Sequence, residues 1–359
     1  MQGPRGMGLH RNLHAVLILP NPTCMLSMLP GKLSDMVVAL GLPGYRGSQL
    51  FSWIHKRGVT DPEEMTNLPR ELRDHLATLG PILPMKGGTV LRSSDGTRKL
   101  EVVLADETRV ETVLIPEGNK LTQCISTQVG CAVGCVFCRS GKDGLKRNLT
   151  AAEILGQIFL GRGEHLPGER LSNVVLMGVG EPLHNLERVL CAIELMGHPD
   201  GLGLSSRRIT LSTVGIPSGI DRLAKATSGK TALAVSFHAA DEETRKRLVP
   251  GVSASLVDIV KALKRYPLPK RRRFTIEYVL VKGINDSDVD ARNLVRLLSS
   301  LKVKVNLIPL NPHDRTDLTP PDDGRVAAFQ KILTSRGVSA FLRRRRGADI
   351  NAACGQLLA

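Results

Sequence analysis

Aromatic side chains are scarce in this chain: seven Phe, three Tyr and one Trp make up 3% of its 359 residues. That argues against a fold that holds single-stranded nucleic acid by stacking bases on aromatic platforms. No run approaches the roughly 20 apolar residues of a membrane span. The first residues, MQGPRGMGLHRNLHAVLILPNPTC, put basic side chains ahead of a short apolar piece. AVLILP is too short for a secretory signal, and Pro20 and Pro22 break it. Residues 1–30 therefore read as a disordered extension, or as an over-long start with Met25 or Met28 as the true one. Acidic residues are also short, 34 against 49 Lys and Arg, leaving a net charge of +15. An excess of that size favours a polyanionic partner, nucleic acid or an anionic membrane surface. The length suits one large domain and a smaller one.

Cysteine is sparse, with residues at 24, 124, 131, 135, 138, 191 and 354. An odd number with four clustered fits a reducing compartment, the cytoplasm, better than a secreted disulfide framework. Cys131, Cys135 and Cys138 stand in CAVGCVFC at C-x3-C-x2-C spacing. A structural zinc site usually takes four protein ligands, and here three are local, with Cys124 upstream. Three thiolates can instead hold three irons of a 4Fe-4S cluster and leave the fourth iron without a protein ligand. An open iron can bind a substrate.

Residues 31–84 carry helical periodicity, with Leu50, Phe51 and Ile54 on one face, and form a small accessory domain whose thin core needs a neighbour. Residues 85–123 change to a β-rich pattern with an Asp95-Gly96 turn and read as a short β-extension. From residue 124 to 359, apolar strands alternate with helical segments six times. The strands are QCISTQV, NVVLMGVGEP, RRITLSTVG, TALAVSFHA, RFTIEYVLVKGI and VKVNLIPLNP. This alternation predicts an α/β fold, a partial (β/α)6 barrel of parallel strands. Its last strand is followed by a tail, VSAFLRRRRGADINAACGQLLA. In such folds the site collects at the C-terminal strand ends. The cysteine triad follows the first strand. Gly180 and Glu181 end the second, Ser212 the third, Ser236 and His238 the fourth, and Asn311 the sixth. Each alone is an ordinary cap or turn residue; together they ring one mouth.

These features resemble the radical S-adenosylmethionine enzymes. VETVLIPE, QVGCAVGCVFC, GLKRNLT, MGVGEPL, STVG, SFHAA and GADINAACGQL, in that order, resemble the RlmN/Cfr family of RNA adenine methyltransferases over residues 32–359. The resemblance implies a radical S-adenosylmethionine barrel with a 4Fe-4S cluster on Cys131, Cys135 and Cys138. It implies an S-adenosylmethionine site lined by Gly180, Glu181, Ser212, Ser236, Phe237, His238 and Asn311. Cys354 would carry the methyl group, Cys124 would resolve the resulting adduct through a Cys124–Cys354 disulfide, and Glu111 would accept a proton. One S-adenosylmethionine would methylate Cys354. A second would be cleaved to a radical that activates this S-methyl group for addition to adenine. Three stretches depart from the family pattern: Phe237 between Ser236 and His238, RSGKDG after Cys138, and PHDRTDLTPP after Asn311.

The implied function is methylation of adenine carbon 2 in 23S rRNA, at the peptidyl-transferase centre, and in tRNA. The protein would act as a monomer, away from membranes, with an electron donor such as flavodoxin. A Cfr-like enzyme acting on carbon 8 is the nearest alternative. A non-catalytic iron–sulfur RNA-binding protein is a second, disfavoured by the Cys124/Cys354 pair. The basic runs Lys270–Arg273 and Arg343–Arg346, with Lys146 and Arg147, are candidate phosphate contacts.

Overall fold

The computed structural model describes residues 24–358. Strands β1 (Met85–Arg92), β2 (Arg98–Leu104) and β3 (Arg109–Glu117) form an antiparallel meander. β4 (Lys120–Cys124) pairs antiparallel with β3. β5 (Gln128–Gly130) and β6 (Leu145–Asn148) make a separate two-stranded sheet that brackets the cysteine loop. β7 (Arg170–Leu176) returns parallel to β4. The parallel run continues through β8 (Ile209–Thr213), β9 (Ala232–Ser236), β10 (Phe274–Leu280), β11 (Val303–Pro309) and β12 (Ser339–Leu342). The β-extension and the barrel strands thus share one sheet, ordered β1-β2-β3-β4-β7-β8-β9-β10-β11-β12.

The helices are α1 (Pro30–Ala39), α2 (Tyr45–Phe51), α3 (Arg70–Thr78), α4 (Ala151–Arg162), α5 (Leu186–Gly197), α6 (Pro217–Thr227), α7 (Glu242–Leu248), α8 (Leu256–Arg265), α9 (Asp288–Leu298) and α10 (Asp323–Ser335). None of them is long and apolar enough to cross a membrane. α4 is buried nearly all round, as a helix with little amphipathic character should be. It begins at a capping box in which Thr150 and Glu153 satisfy each other's backbone N–H groups. The N-terminal helices share one hydrophobic core with the barrel: Leu33, Leu50, Phe51, Ile54 and Leu72 belong to the same cluster as Ile158, Val189 and Leu211.

Three expectations are corrected. Residues 24–30 are not a disordered extension. Met25, Leu26 and Met28 are buried, and α1 starts at Pro30. The thiols of Cys24 and Cys191 help to seat this segment, donating to the carbonyls of Ile82 and Ser27. Residues 1–23 lie outside the described residues. The first barrel strand does not run through QCISTQV. It ends at Cys124, because the chain must leave the sheet before it can pair Gln128–Gly130 with β6. The tail also contributes a seventh parallel strand, β12, in register with β11 from Lys304↔Ser339 to Leu307↔Leu342. Four residues before an arginine run carry too weak a pattern to be read as a strand. As an edge strand it is short and charged at its end, which discourages pairing with another chain.

Candidate active site

The loop after β4 is built around glycines. At Gly130, φ is +76° and a Cβ would lie 1.9 Å from the Gly144 carbonyl, so no side chain fits. The chain then enters the loop bearing Cys131, Cys135 and Cys138, which all line one cavity of about 160 Å³ at the C-terminal strand ends. Burial is the main reason that the Cys131 thiol is pushed up to about 12, and it raises Cys135 and Cys138 as well. These thiols hold their protons until a metal displaces them. Among the described residues, no three His, Cys, Asp or Glu converge as ligands of one metal ion would. Three thiols line this space where a structural zinc takes four protein ligands, which suits a 4Fe-4S cluster with one open iron.

The opposite wall comes from successive strand ends. Gly180 has φ +105°, and a Cβ there would lie 2.6 Å from the Gln128 side chain. Glu181 follows, 2% exposed. Its carboxylate accepts from the Leu183 N–H at 2.9 Å and the Val214 N–H at 2.8 Å. Burial nevertheless raises it to about 7, against the pull of those hydrogen bonds. An oriented, dry carboxylate of this kind favours a cationic ligand. His238 stands at φ +58°. Its Nδ1 accepts from the Val279 N–H at 3.1 Å, which leaves the ring proton on Nε2. Burial lowers it to about 3, so the ring is neutral. Ser212 and Ser236 complete this wall.

The tail closes the barrel. Asn311 donates to the Cys354 carbonyl at 2.9 Å and accepts from Arg345 Nε at 2.9 Å. Gly355 accepts from the Arg139 N–H at 2.7 Å, and Leu357 accepts from Ser140 Oγ at 2.7 Å. On the far side, Ser93 Oγ donates to Asp349 at 2.6 Å and Lys99 to the Asn351 carbonyl at 3.2 Å. The tail therefore bridges the cysteine loop and the β-extension. Cys354 itself is exposed, but to the barrel interior. It borders the upper cavity and a second one of about 680 Å³ toward the N-terminal ends of the strands, lined by Thr122, Asn173, Thr275, Lys304 and Arg343–Arg346 among others.

Of the expected site residues, Cys131, Cys135, Cys138, Gly180, Glu181, Ser212, Ser236, His238, Asn311 and Cys354 meet in the upper cavity. Three do not line either cavity. Phe237 points into the core and is fully buried. Cys124 is buried in a small cluster with Val179 and with Ala352 and Leu357 of the tail that carries Cys354. Both are free thiols. Glu111 forms a buried ion pair with Lys99 at 2.9 Å and accepts from the Leu358 N–H at 2.8 Å. Arg147 is also committed, forked between Asp106 at 2.7 Å and Glu153 at 2.8 Å, which removes it as a free phosphate contact. The 270–273 run precedes β10 and lies at the opposite end of the barrel from the cysteine loop. Two of the departing segments meet: Arg315 chelates Asp143 at 2.7 Å, Asp314 pairs with Arg139 at 3.2 Å, and His313 and Thr316 contact the Phe137 and Val136 carbonyls.

Sequence reasoning missed Glu277, which borders both cavities and is raised by burial while it accepts from Asn306 at 2.9 Å. A lone acid inside the apolar strand FTIEYVL was the available signal. It also missed Met177 as a lining residue, and it read Arg343 only as part of a basic run, whereas both residues border the two cavities.

A parallel barrel with three cysteines and a buried Glu at adjacent strand ends defines a radical S-adenosylmethionine enzyme. The Radical SAM superfamily profile matches residues 125–295, and that of the ribosomal RNA large subunit methyltransferase N-terminal domain matches residues 24–82. The chain is 48% identical to the dual-specificity RNA methyltransferase RlmN of Sorangium cellulosum, over 94% of this chain and 96% of that one. It is 44% identical to the RlmN of Solidesulfovibrio magneticus, over 91% and 94%. A radical SAM methyltransferase structure from Sphaerobacter thermophilus superposes with a TM-score of 0.88 at 40% identity, over 92% of this chain and 98% of that one. The chain belongs to the RlmN family of radical S-adenosylmethionine methyltransferases. Its cofactors are a 4Fe-4S cluster and S-adenosylmethionine.

Proposed function

We propose that the protein methylates carbon 2 of adenine in 23S rRNA and in tRNA, with Cys354 as the methyl carrier. The observation that carries this reading is the place of Cys354. It stands where the upper, cofactor-side cavity meets the lower one, with Cys124 packed under the same tail. A redox or RNA-binding module has no use for that arrangement. Carbon 2 of adenine is electron-poor, so it does not attack a methyl sulfonium directly. The thiolate of Cys354 would, by displacement at the methyl carbon: its S–CH3 bond forms as the sulfonium's C–S bond breaks and S-adenosylhomocysteine leaves.

Cys131, Cys135 and Cys138 would hold the cluster, which supplies the electron for reductive cleavage of S-adenosylmethionine to a radical able to take hydrogen from a methyl group. Glu181 would orient the cofactor's ammonium group. Neutral His238 and the Ser212 and Ser236 hydroxyls would offer hydrogen bonds without adding charge. Once the Cys354 methylene is bonded to adenine and one electron and the ring proton have left, the Cys124 thiolate would attack the Cys354 sulfur: the S–S bond forms, the sulfur–carbon bond breaks, and its electron pair takes up a proton to complete the methyl group. Ala352 and Leu357 already bring the tail against Cys124. Glu111 remains the proton acceptor of this reading if the tail lifts and withdraws the Leu358 N–H that now occupies it.

Arg343 and Arg344, which line the lower cavity, support an RNA substrate as phosphate contacts for an extruded base; Arg345 is held by Asn311 and the Leu310 carbonyl, and Arg346 faces Asp95 at 3.9 Å. We further propose a monomer acting in the cytoplasm, reduced by a flavodoxin-like donor. Mass spectrometry of nucleosides from RNA methylated by the purified enzyme tests the assignment. 2-Methyladenosine in both rRNA and tRNA is expected; 8-methyladenosine alone would overturn it.

A further inference from the structure

One buried charge near the cysteines has no counter-ion. α7 carries Arg245, Lys246 and Arg247 in sequence. The second and third face solvent, while Arg245 turns inward and is 3% exposed. Its Nη1 donates to the Ser236 carbonyl at 2.9 Å and also to that of Phe237, and its Nη2 donates to the Val214 carbonyl. Its Nε has no partner. Among the described residues no carboxylate forms an ion pair with it; Glu242 is exposed and accepts instead from the Leu256 N–H at 2.8 Å. Burying a guanidinium this way is costly unless an anion is nearby.

The surroundings identify that anion. α7 is tied to the cysteine loop, with the Val136 N–H donating to the Leu248 carbonyl at 3.1 Å and the Gly251 N–H to the Val133 carbonyl at 2.9 Å. Cys135, Val214, Leu248 and Val249 pack in one cluster. The carbonyls that hold Arg245 belong to the ends of β8 and β9, whose Val214 and Ser236 line the upper cavity with the three cysteines.

We propose that Arg245 is the counter-charge of the iron–sulfur site, a positioning residue that offsets the Cys131, Cys135 and Cys138 thiolates and eases uptake of the electron. A cluster with three thiolate ligands is anionic overall, and reduction makes it more so. A fixed cation in a dry site stabilises the reduced form more than the oxidised one, with little screening by salt. In that step one electron passes from an external low-potential donor, dithionite in the assay, to the cluster. The donor is oxidised by one electron, no bond to the protein breaks and no proton moves.

This rests on the cluster assignment and not on the RNA target, so the test reads the cluster itself. Wild type, Arg245→Lys and Arg245→Gln are reconstituted anaerobically, assayed for iron and sulfide, and titrated with dithionite by electron paramagnetic resonance. Arg245→Lys should titrate near wild type. In Arg245→Gln the ratio of reduced to oxidised cluster at fixed potential should fall at least tenfold, a shift of about 59 mV for one electron. If Arg245→Gln does not fold, citrulline at the same position keeps N–H donors for the carbonyls and removes only the charge. A neutral replacement that loads a full cluster and titrates like wild type overturns the proposal, as does a shift equal in the lysine and neutral variants. A wild type that loads no cluster would instead defeat the cofactor assignment.

Discussion

Replacing Glu181 by Gln should weaken S-adenosylmethionine binding and abolish its pH dependence. The wild-type carboxylate accepts two backbone N–H groups, from Leu183 and Val214, and burial leaves it near pH 7 in the empty protein. Only the ionised form attracts the cofactor's ammonium. Wild-type affinity should therefore rise with pH as the buried carboxylate ionises and level off once it is fully ionised. The empty protein behaves in the opposite sense. An unfolded glutamate loses its proton near 4.5. Between there and about 7 the folded state holds the proton that the unfolded state has released, so stability declines as pH rises through that window. Glutamine cannot ionise, and its amide nitrogen faces one of two N–H donors. The lost charge-assisted hydrogen bond is worth about 1.5–3 kcal/mol, or roughly 10- to 150-fold in affinity. The unsatisfied N–H costs a further ~1–3 kcal/mol of stability. Calorimetric titration of the cluster-loaded protein across pH 6 to 8, under argon, measures the first effect and thermal unfolding the second. A Glu181→Gln variant that binds as tightly as wild type, or a wild-type affinity that is flat with pH, would refute the reasoning.

Cys354→Ala should abolish methylation while iron content stays at the wild-type level, because Cys354 is not among the three cysteines of the triad; product formation together with iron analysis checks both. Cys124→Ala should accumulate a covalent protein–RNA adduct, visible as a slow band on a denaturing gel. Glu111→Gln and Glu277→Gln compete as proton-acceptor variants. The one that fills this role accumulates adduct even with Cys124 intact, and the other turns over normally. The half-exposed Arg315–Asp143 pair should couple by only ~0.2–1 kcal/mol in a double-mutant cycle read by thermal unfolding. RNA affinity should fall linearly on a log–log plot against salt, and substitution of Arg344 by Ala should lower that slope by about one.

Much of the fold was legible because its signals are local. Alternation of strand and helix patterns specified a parallel sheet, and strand ends specified where a site would form. The residues that escaped notice depend on neighbours distant in sequence. Arg245 is indistinguishable from Lys246 and Arg247 in EETRKRL, and only the packing of α7 on the cysteine loop turns it inward. Arg147 looked free until the fold set Asp106 and Glu153 on either side of it. VSAFL became a strand because α10 returns it to the edge of β11.

The cysteine spacing by itself pointed to an iron–sulfur site with one open iron, since thiol count is a property of residue types; the parts given to Gly-Glu-Pro and to the two outlying cysteines came from the ordered set of motifs that resembles the family. Whether those groups meet was decided only in three dimensions. The tail crosses from β12 to the β-extension, sets Cys354 between two cavities and packs Ala352 and Leu357 against Cys124, some 230 residues before Cys354. It also leaves Glu111 bound to Lys99 and Leu358. Hydrogen bonds and burial across the open barrel decide that placement, and no stretch of the chain contains both halves of such a contact.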